Sequence, residues 1–269
     1  MAMTRVSPAM RRSTPKSSAN GQGRGASTPS GGAGAGSGAD GAALLHITEW
    51  VFDLDNTLYP SHCPLFAQID RRMRDFIAHL LGLDHTAARR LQKHYFHAFG
   101  TTLRGLMLDH GLDPEAFLEY VHEVDVSVVP PDPALKTALS RLEGRKVVFT
   151  NGPRNHAEIV LERLGVQGLF DGIFDVADAG YIPKPDPQCY RRLLESHDID
   201  PYAAVLFDDI ARNLPPAAAL GMATVLVTGP ADGQGQAAAK LAPNAGVDHV
   251  TDDLVGWLEN VAAARAAGG

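Results

Sequence analysis

From residue 133 to residue 227 the chain alternates short apolar runs with stretches of helical period, and no other feature limits its fold so narrowly. Pro133–Leu142, His156–Leu164, Gln188–Ser196 and Ala211–Leu220 read as amphipathic helices, the second and fourth stopped by Gly165 and Gly221. Between and after them, Lys146–Thr150, Gly172–Val176, Ala203–Phe207 and Ala223–Val227 read as buried strands. Strands that alternate with helices imply a parallel sheet wound on both faces, so the expected class is α/β. Trp50–Phe52 supplies an earlier strand, Val247–Thr251 a short late one, and Asp252–Ala264 a closing helix. Gly-rich nucleotide-binding loop fingerprints are absent.

Open parallel sheets bind ligands beyond the carboxyl ends of their strands, so the residues ending these runs matter most. The first run ends in Asp53-Leu54-Asp55. Two carboxylates one residue apart repel unless a cation lies between them or one is protonated, and a divalent metal is the economical explanation. Val147-Val148-Phe149 runs into Thr150-Asn151-Gly152, where a hydroxyl and the backbone N–H groups near Gly152 suit a phosphoryl oxygen. Taken alone, the same tripeptide is also a plain turn. Lys184 stands between Pro183 and Pro185, which fix the backbone and mount its point charge rigidly. Val205-Leu206-Phe207 ends in Asp208-Asp209. An octahedral magnesium ion suits such carboxylates, although two acids capping a helix at Ala211 are the alternative.

The stretch Phe52-Asp53-Leu54-Asp55-Asn56-Thr57-Leu58-Tyr59-Pro60 resembles motif I of the haloacid dehalogenase (HAD) superfamily, in the form of its pyrimidine 5′-nucleotidase branch. Thr150, Lys184 and Asp208-Asp209 follow in the family's order, and Asn151-Gly152-Pro153-Arg154-Asn155-His156-Ala157 extends the likeness. The resemblance implies a Rossmann-like core with a helical C1-type cap inserted after the first strand. It implies that Asp53 attacks phosphorus, that Asp55 serves as general acid and then base, that Thr150, Asn151 and Gly152 hold the phosphoryl group, and that Lys184 keeps nucleophile and phosphoryl in register. Mg²⁺ would sit on Asp53, the backbone carbonyl of Asp55, and Asp209. Asp208 is either a further ligand or a neighbour, because the family's commoner pattern places Gly before the metal-binding Asp and this chain departs from it.

The expected activity is Mg²⁺-dependent phosphomonoester hydrolysis through an aspartyl-phosphate, acting on a pyrimidine nucleoside monophosphate, UMP or CMP. Small phosphates such as phosphoglycolate, sugar phosphates and lysophospholipid-type phosphates are the reserve substrates. A haloacid dehalogenase has no evident use for Asp55, and a non-catalytic nucleotide sensor would be expected to have lost the nucleophile or the acid.

The expected organisation is an α/β core over 44–60 and 131–269, with a helical cap over 61–130. Phe66, Ile69, Met73, Phe76, Ile77 and Leu80 recur at helical spacing up to Gly82; a second helix spans Thr86–Phe99, and Asp113-Pro114 opens another. Gly100–Leu106, with Arg104 among short hydroxyls, is expected either to place donors over a base or sugar or to be an ordinary helix junction. His94 and His97 share a helix face without a third ligand at a telling spacing, so they read as solvated.

Residues 1–43 are expected to form a disordered tail. Up to residue 39 it holds Arg5, Arg11, Arg12, Lys16 and Arg24, no acid, and long Gly/Ser/Ala runs. The remainder is therefore more acidic than the overall net charge of −7, which argues against nucleic acid as a partner. No apolar stretch suits a secretory signal or a membrane span. Cys63 and Cys189 offer no disulfide framework, and the expected location is the cytoplasm.

Overall fold

The computed structural model describes residues 44–229 and 246–268; the expected disordered tail over 1–43 lies outside the described residues. Its centre is a parallel sheet of six strands in the order β3-β2-β1-β4-β5-β6. These are β1 (Glu49–Phe52), β2 (Arg145–Phe149), β3 (Gly172–Phe174), β4 (Ala204–Asp208), β5 (Ala223–Val227) and β6 (His249–Thr251). From β1 the chain winds outward through β2 and β3 to one edge, then returns to β4 and winds through β5 and β6 to the other. The switch point therefore lies between β1 and β4, paired in register from Glu49 opposite Ala204 to Phe52 opposite Phe207.

Alternation along the strands divides the core between the two faces. Trp50 and Phe52 point to one side with Val148, Val205, Phe207 and Val225, and Val51 points to the other with Val147, Phe149, Leu206 and Leu226. On the first face Phe207 stacks on Phe52 at 4.6 Å between ring centroids and takes Trp257 edge-on at 5.3 Å. These contacts stiffen the two strands whose ends carry the acids.

Between β1 and β2 lie five α-helices, of which the first four form the helical insert: α1 (Leu65–Leu81), α2 (His85–Phe99), α3 (Thr102–His110) and α4 (Pro114–His122). They share a separate apolar cluster in which Ile69, Ile77, Tyr95, Leu106, Phe117 and Val121 are buried. α1 stops where Gly82 takes a left-handed conformation at φ 63, and Asp113 with Pro114 starts α4 as their order predicts. The helix α3 was not expected: Thr101 Oγ1 accepts the N–H of Arg104, so Gly100–Leu106 is a helix start. Gly105 is required there, because a Cβ at this position would lie 2.3 Å from Tyr95 Cγ.

The remaining helices, α5 (Pro133–Arg141), α6 (Arg154–Leu164), α7 (Pro187–His197), α8 (Leu214–Leu220) and α9 (Leu254–Gly268), cover the sheet. The single helix expected over Ala211–Leu220 is instead a 3-10 turn, Ala211–Asn213, followed by α8. Pro215 and Pro216 cannot donate backbone hydrogen bonds to a preceding turn, so the α-helix starts just before them. Among the described residues no helix is long and apolar enough to cross a membrane. Both cysteines are free and buried.

Candidate active site

Three adjacent strands, β2, β1 and β4, end side by side, which brings Thr150, Asp53 and Asp208-Asp209 together although they are far apart in sequence. A cavity of about 300 Å³ opens above them and is roofed by the helical insert. Asp53, Asp55, Thr150, Asn151, Gly152, Lys184 and Asp209 line its floor.

Lys184 is 1% exposed, and its three ammonium donors are all committed. Nζ lies 2.8 Å from Asp53 Oδ1, 2.7 Å from Asp208 Oδ2 and 2.9 Å from the carbonyl of Phe149. In this arrangement the Nζ donors beside the expected phosphoryl position are held by protein oxygens. Burial opposes its charge, yet Asp208 and Asp53 more than offset this and raise its pKa. The loop carrying it is tied down by Asn151, whose Oδ1 accepts the Lys184 N–H at 2.9 Å and whose Nδ2 donates to the Lys184 carbonyl at 3.3 Å. The Asn151 side chain, expected at the phosphoryl group, is spent on this tether.

Asp53 is buried, and Thr57 Oγ1 donates to its other oxygen at 3.0 Å. Burial pushes its carboxyl up to about 7; Lys184 opposes the shift, and Asp208 and Asp55 add to it. Asp209 is driven well above the ordinary carboxylate range, first by burial and then by Asp53 and Asp208. One oxygen from each of Asp53, Asp208 and Asp209 lies within 4.8 Å of the others. An all-oxygen donor set this crowded with negative charge fits a hard divalent cation.

Asp208 and Asp209 are not equivalent in this cluster. Asp208 is fully buried and accepts from Lys184, from Asn213 Nδ2 at 2.9 and 3.0 Å, and from the Ile210 N–H at 2.8 Å. Asp209 reaches the cavity, which Asp208 does not, and among the described residues its carboxylate accepts no hydrogen bond. Its oxygens are the ones left for a cation.

Asp55 is held from two sides at a single oxygen. Tyr59 Oη donates to Oδ1 at 2.6 Å, and His156 Nε2 lies 2.9 Å from the same atom. Burial favours its neutral form, but His156 and Tyr59 outweigh burial and lower its pKa. Behind His156 the ring of His122, from the end of α4, packs at 4.8 Å and also borders the cavity. Burial, with His156 beside it, depresses the His122 pKa to about 4. Neither Tyr59 nor His156 was assigned a part in the site from sequence. The available signals were the Leu58-Tyr59-Pro60 extension and the Asn151–His156 turn.

At β2, Thr150 Oγ1 accepts the Gly152 N–H at 2.9 Å. That N–H is not free for a ligand, but its bond leaves the Thr150 hydroxyl proton to point elsewhere. Arg104 does not border the cavity, whereas Thr101, Thr102 and Leu103 just before it do; the helical start of α3 turns Arg104 away from the place expected for it.

A family model described as a haloacid dehalogenase-like hydrolase matches residues 50–221. Phosphate metabolism protein 8 of Saccharomyces cerevisiae is 30% identical over 193 residues, 65% of this chain and 60% of that protein, so the chain spans less than two thirds of its length. Validoxylamine A 7′-phosphate phosphatase of Streptomyces hygroscopicus subsp. limoneus is 28% identical over 190 residues, 66% of this chain and 84% of that protein. Among solved structures, a HAD phosphatase from Thermococcus onnurineus aligns with a TM-score of 0.53 at 20% identity, covering 77% of this chain and 94% of that one.

Proposed function

Because the chain belongs to the haloacid dehalogenase-like hydrolase family, we propose that it hydrolyses phosphate monoesters with Mg²⁺, by way of an aspartyl-phosphate on Asp53, and that its substrate is a pyrimidine nucleoside monophosphate such as UMP or CMP. The observation that carries the hydrolytic reading is the double support of Asp55 Oδ1 by Tyr59 and His156. An acid held two residues beyond the nucleophile has a use in phosphoryl transfer and none in displacing a halide from carbon.

The ionised Asp53 carboxylate, held on its Oδ1 by Lys184 and on its Oδ2 by Thr57, attacks phosphorus in line with the leaving oxygen. Asp55 gives that oxygen a proton as the ester bond breaks. Its pKa is low in the free site, and the negative charge of an arriving phosphate favours the protonated form needed for this step. Asp55 then takes a proton from the water that attacks the aspartyl-phosphate, which returns free phosphate and the Asp53 carboxylate. The Thr150 hydroxyl donates to a phosphoryl oxygen, while Asp208 holds Lys184 from behind. Asp53, the Asp55 carbonyl and Asp209 would hold a magnesium ion, which would supply positive charge beside the phosphoryl group.

The pyrimidine assignment rests on the Phe52–Pro60 and Thr150–His156 stretches and on a roof bordered by Phe66, Phe96 and Phe117, which suits a flat ring. Steady-state kinetics on 4-nitrophenyl phosphate, UMP, CMP, phosphoglycolate and 2-chloropropionate, with and without Mg²⁺, test both levels. Mg²⁺-dependent release of phosphate with no chloride release is the expected result. A two- or three-carbon phosphate surpassing both nucleotides tenfold in kcat/KM would remove the nucleotide assignment and leave the phosphatase one.

A further inference from the structure

The last residue of α4 brings a side chain of the helical insert over the phosphoryl turn of the core. A Cβ placed on Gly152 would lie 3.6 Å from His122 Nε2, 3.3 Å from Thr150 Oγ1 and 3.6 Å from His156 Cδ2, so all three atoms stand around one turn. His122, Thr150, Gly152 and Asp55 border the same cavity. The imidazole is held there from two sides. Its ring packs on that of His156 at 4.8 Å, and its Nδ1 lies 2.9 Å from the Leu118 carbonyl, one turn back on α4.

That carbonyl decides which ring nitrogen carries the proton. A carbonyl can only accept, so Nδ1 is the N–H, and Nε2 of the neutral ring presents a bare lone pair. With a pKa of about 4 the ring is neutral at pH 7. Among the described residues Nε2 has no hydrogen-bond partner, and it is not one of the buried side-chain atoms left without one. On this half-buried, cavity-lining residue the nitrogen is therefore open to the cavity.

A bare lone pair repels the oxygens of a phosphate dianion, so the phosphoryl group is not its partner. His122 rests on His156, which in turn holds Asp55 Oδ1. Nε2 thus stands on the side where Asp55 meets the departing ester oxygen. We infer that His122 is a specificity-determining residue whose Nε2 accepts a hydrogen bond from a hydroxyl borne by the leaving alcohol close to the ester oxygen. The inference rests on the phosphatase reading of this cavity and names the class of ester that suits it: polyol and sugar phosphates, the ribose of a nucleotide included, over plain alkyl and aryl phosphates. An entering ester displaces water from Nε2. A hydroxyl replaces that hydrogen bond, whereas a methylene in the same place leaves the acceptor unpaired.

The test is kcat/KM of the full chain with Mg²⁺ on two matched pairs, glycerol 3-phosphate against propyl phosphate and UMP against 2′,3′-dideoxy-UMP, with 4-nitrophenyl phosphate as reference. Wild type is compared with His122→Phe, which keeps a ring against His156, and His122→Asn, which keeps a donor for the Leu118 carbonyl; neither keeps Nε2. Wild type is expected to prefer the hydroxylated member tenfold or more. Both variants are expected to bring that preference within about twofold, with a much smaller loss on 4-nitrophenyl phosphate. Equal treatment of both members by wild type overturns the inference and needs no variant, so it decides the matter even if neither variant folds. A folded variant that keeps the preference, or that loses all esters equally, also overturns it, as does turnover of 4-nitrophenyl phosphate alone. Where one pair only is hydrolysed, that pair decides the role of His122, and failure of the nucleotide pair removes the pyrimidine assignment. Phosphate release from none of the esters removes the phosphatase reading and the inference with it, whereas release without a hydroxyl preference removes the inference alone.

Discussion

The Tyr59 hydroxyl donates to Asp55 Oδ1 at 2.6 Å across a single turn of chain, and it leaves Asp55 Oδ2 free of protein hydrogen bonds among the described residues. One oxygen is held and the other is available for proton transfer. Asp55→Asn removes the transferable proton while keeping the shape. Its expected cost is about 10²–10⁴ in kcat on alkyl phosphates, and distinctly less on 4-nitrophenyl phosphate, whose leaving group needs little protonation. Equal losses on both, measured by phosphate release, would place Asp55 outside the acid–base step.

Lys184 sits between Asp53 and Asp208 as their shared counter-charge. Lys184→Met leaves two buried carboxylates facing each other, and removing one member of a buried ionic cluster costs about 3–5 kcal/mol. Denaturant unfolding should show that loss, and Mg²⁺ should recover part of it by supplying positive charge. A loss under 1 kcal/mol would mean that the carboxylates are not ionised together.

Gly100 links the helical insert to the lysine loop at φ 86, and an added Cβ would lie 2.8 Å from the Lys184 carbonyl. Gly100→Ala therefore carries left-handed strain of about 1–2 kcal/mol and pushes on the loop that aims Lys184. A fall in kcat of tenfold or more is expected, with KM changed little. Normal kcat in a folded variant would show that the two loops move independently.

Asp70 has its carboxyl lowered below the ordinary 3.8; burial works against the shift and its Lys93 and Arg89 partners prevail. The unfolded chain then binds the proton more readily than the folded one, so the pair energy is present above 3.8 and fades as pH falls through the lower folded value. Asp70→Asn should lower Tm at pH 7 and match wild type in strong acid. A Tm difference unchanged across that range would assign the effect to packing.

Much of this site is legible in the sequence because each of Asp53, Thr150 and Asp209 closely follows an apolar run, where a polar residue interrupts the strand period. What stayed hidden depends on packing between distant segments. His156 meets Asp55 across 101 residues, and only the pairing of β1 with β2 brings their loops together. Gln92 lies among Arg89, Arg90 and Lys93 and reads as part of a solvated helix face; the packing of α1 against α2 buries it. The segment Gly100–Leu106 carries turn-type residues, and Thr101 uses that chemistry to begin a helix. Arg104, chosen for its charge in that segment, is consequently misplaced in the sequence reading. Asp208 and Asp209 are indistinguishable as adjacent letters; the structure separates them, with Asp208 buried and bonded by Asn213 and Asp209 reaching the cavity.

The claim on which all else depends is that Asp53 becomes covalently phosphorylated. Turnover of UMP or 4-nitrophenyl phosphate should be quenched in acid, reduced with borohydride, and the peptides mapped by mass spectrometry, with Asp53→Asn as control. The expected result is conversion of residue 53 to homoserine in wild type, greater in Asp55→Asn, where hydrolysis of the intermediate is slowed, and neither label nor turnover in a folded Asp53→Asn. Sustained phosphate release with residue 53 unmodified in both wild type and Asp55→Asn, or appreciable activity in Asp53→Asn, would contradict it.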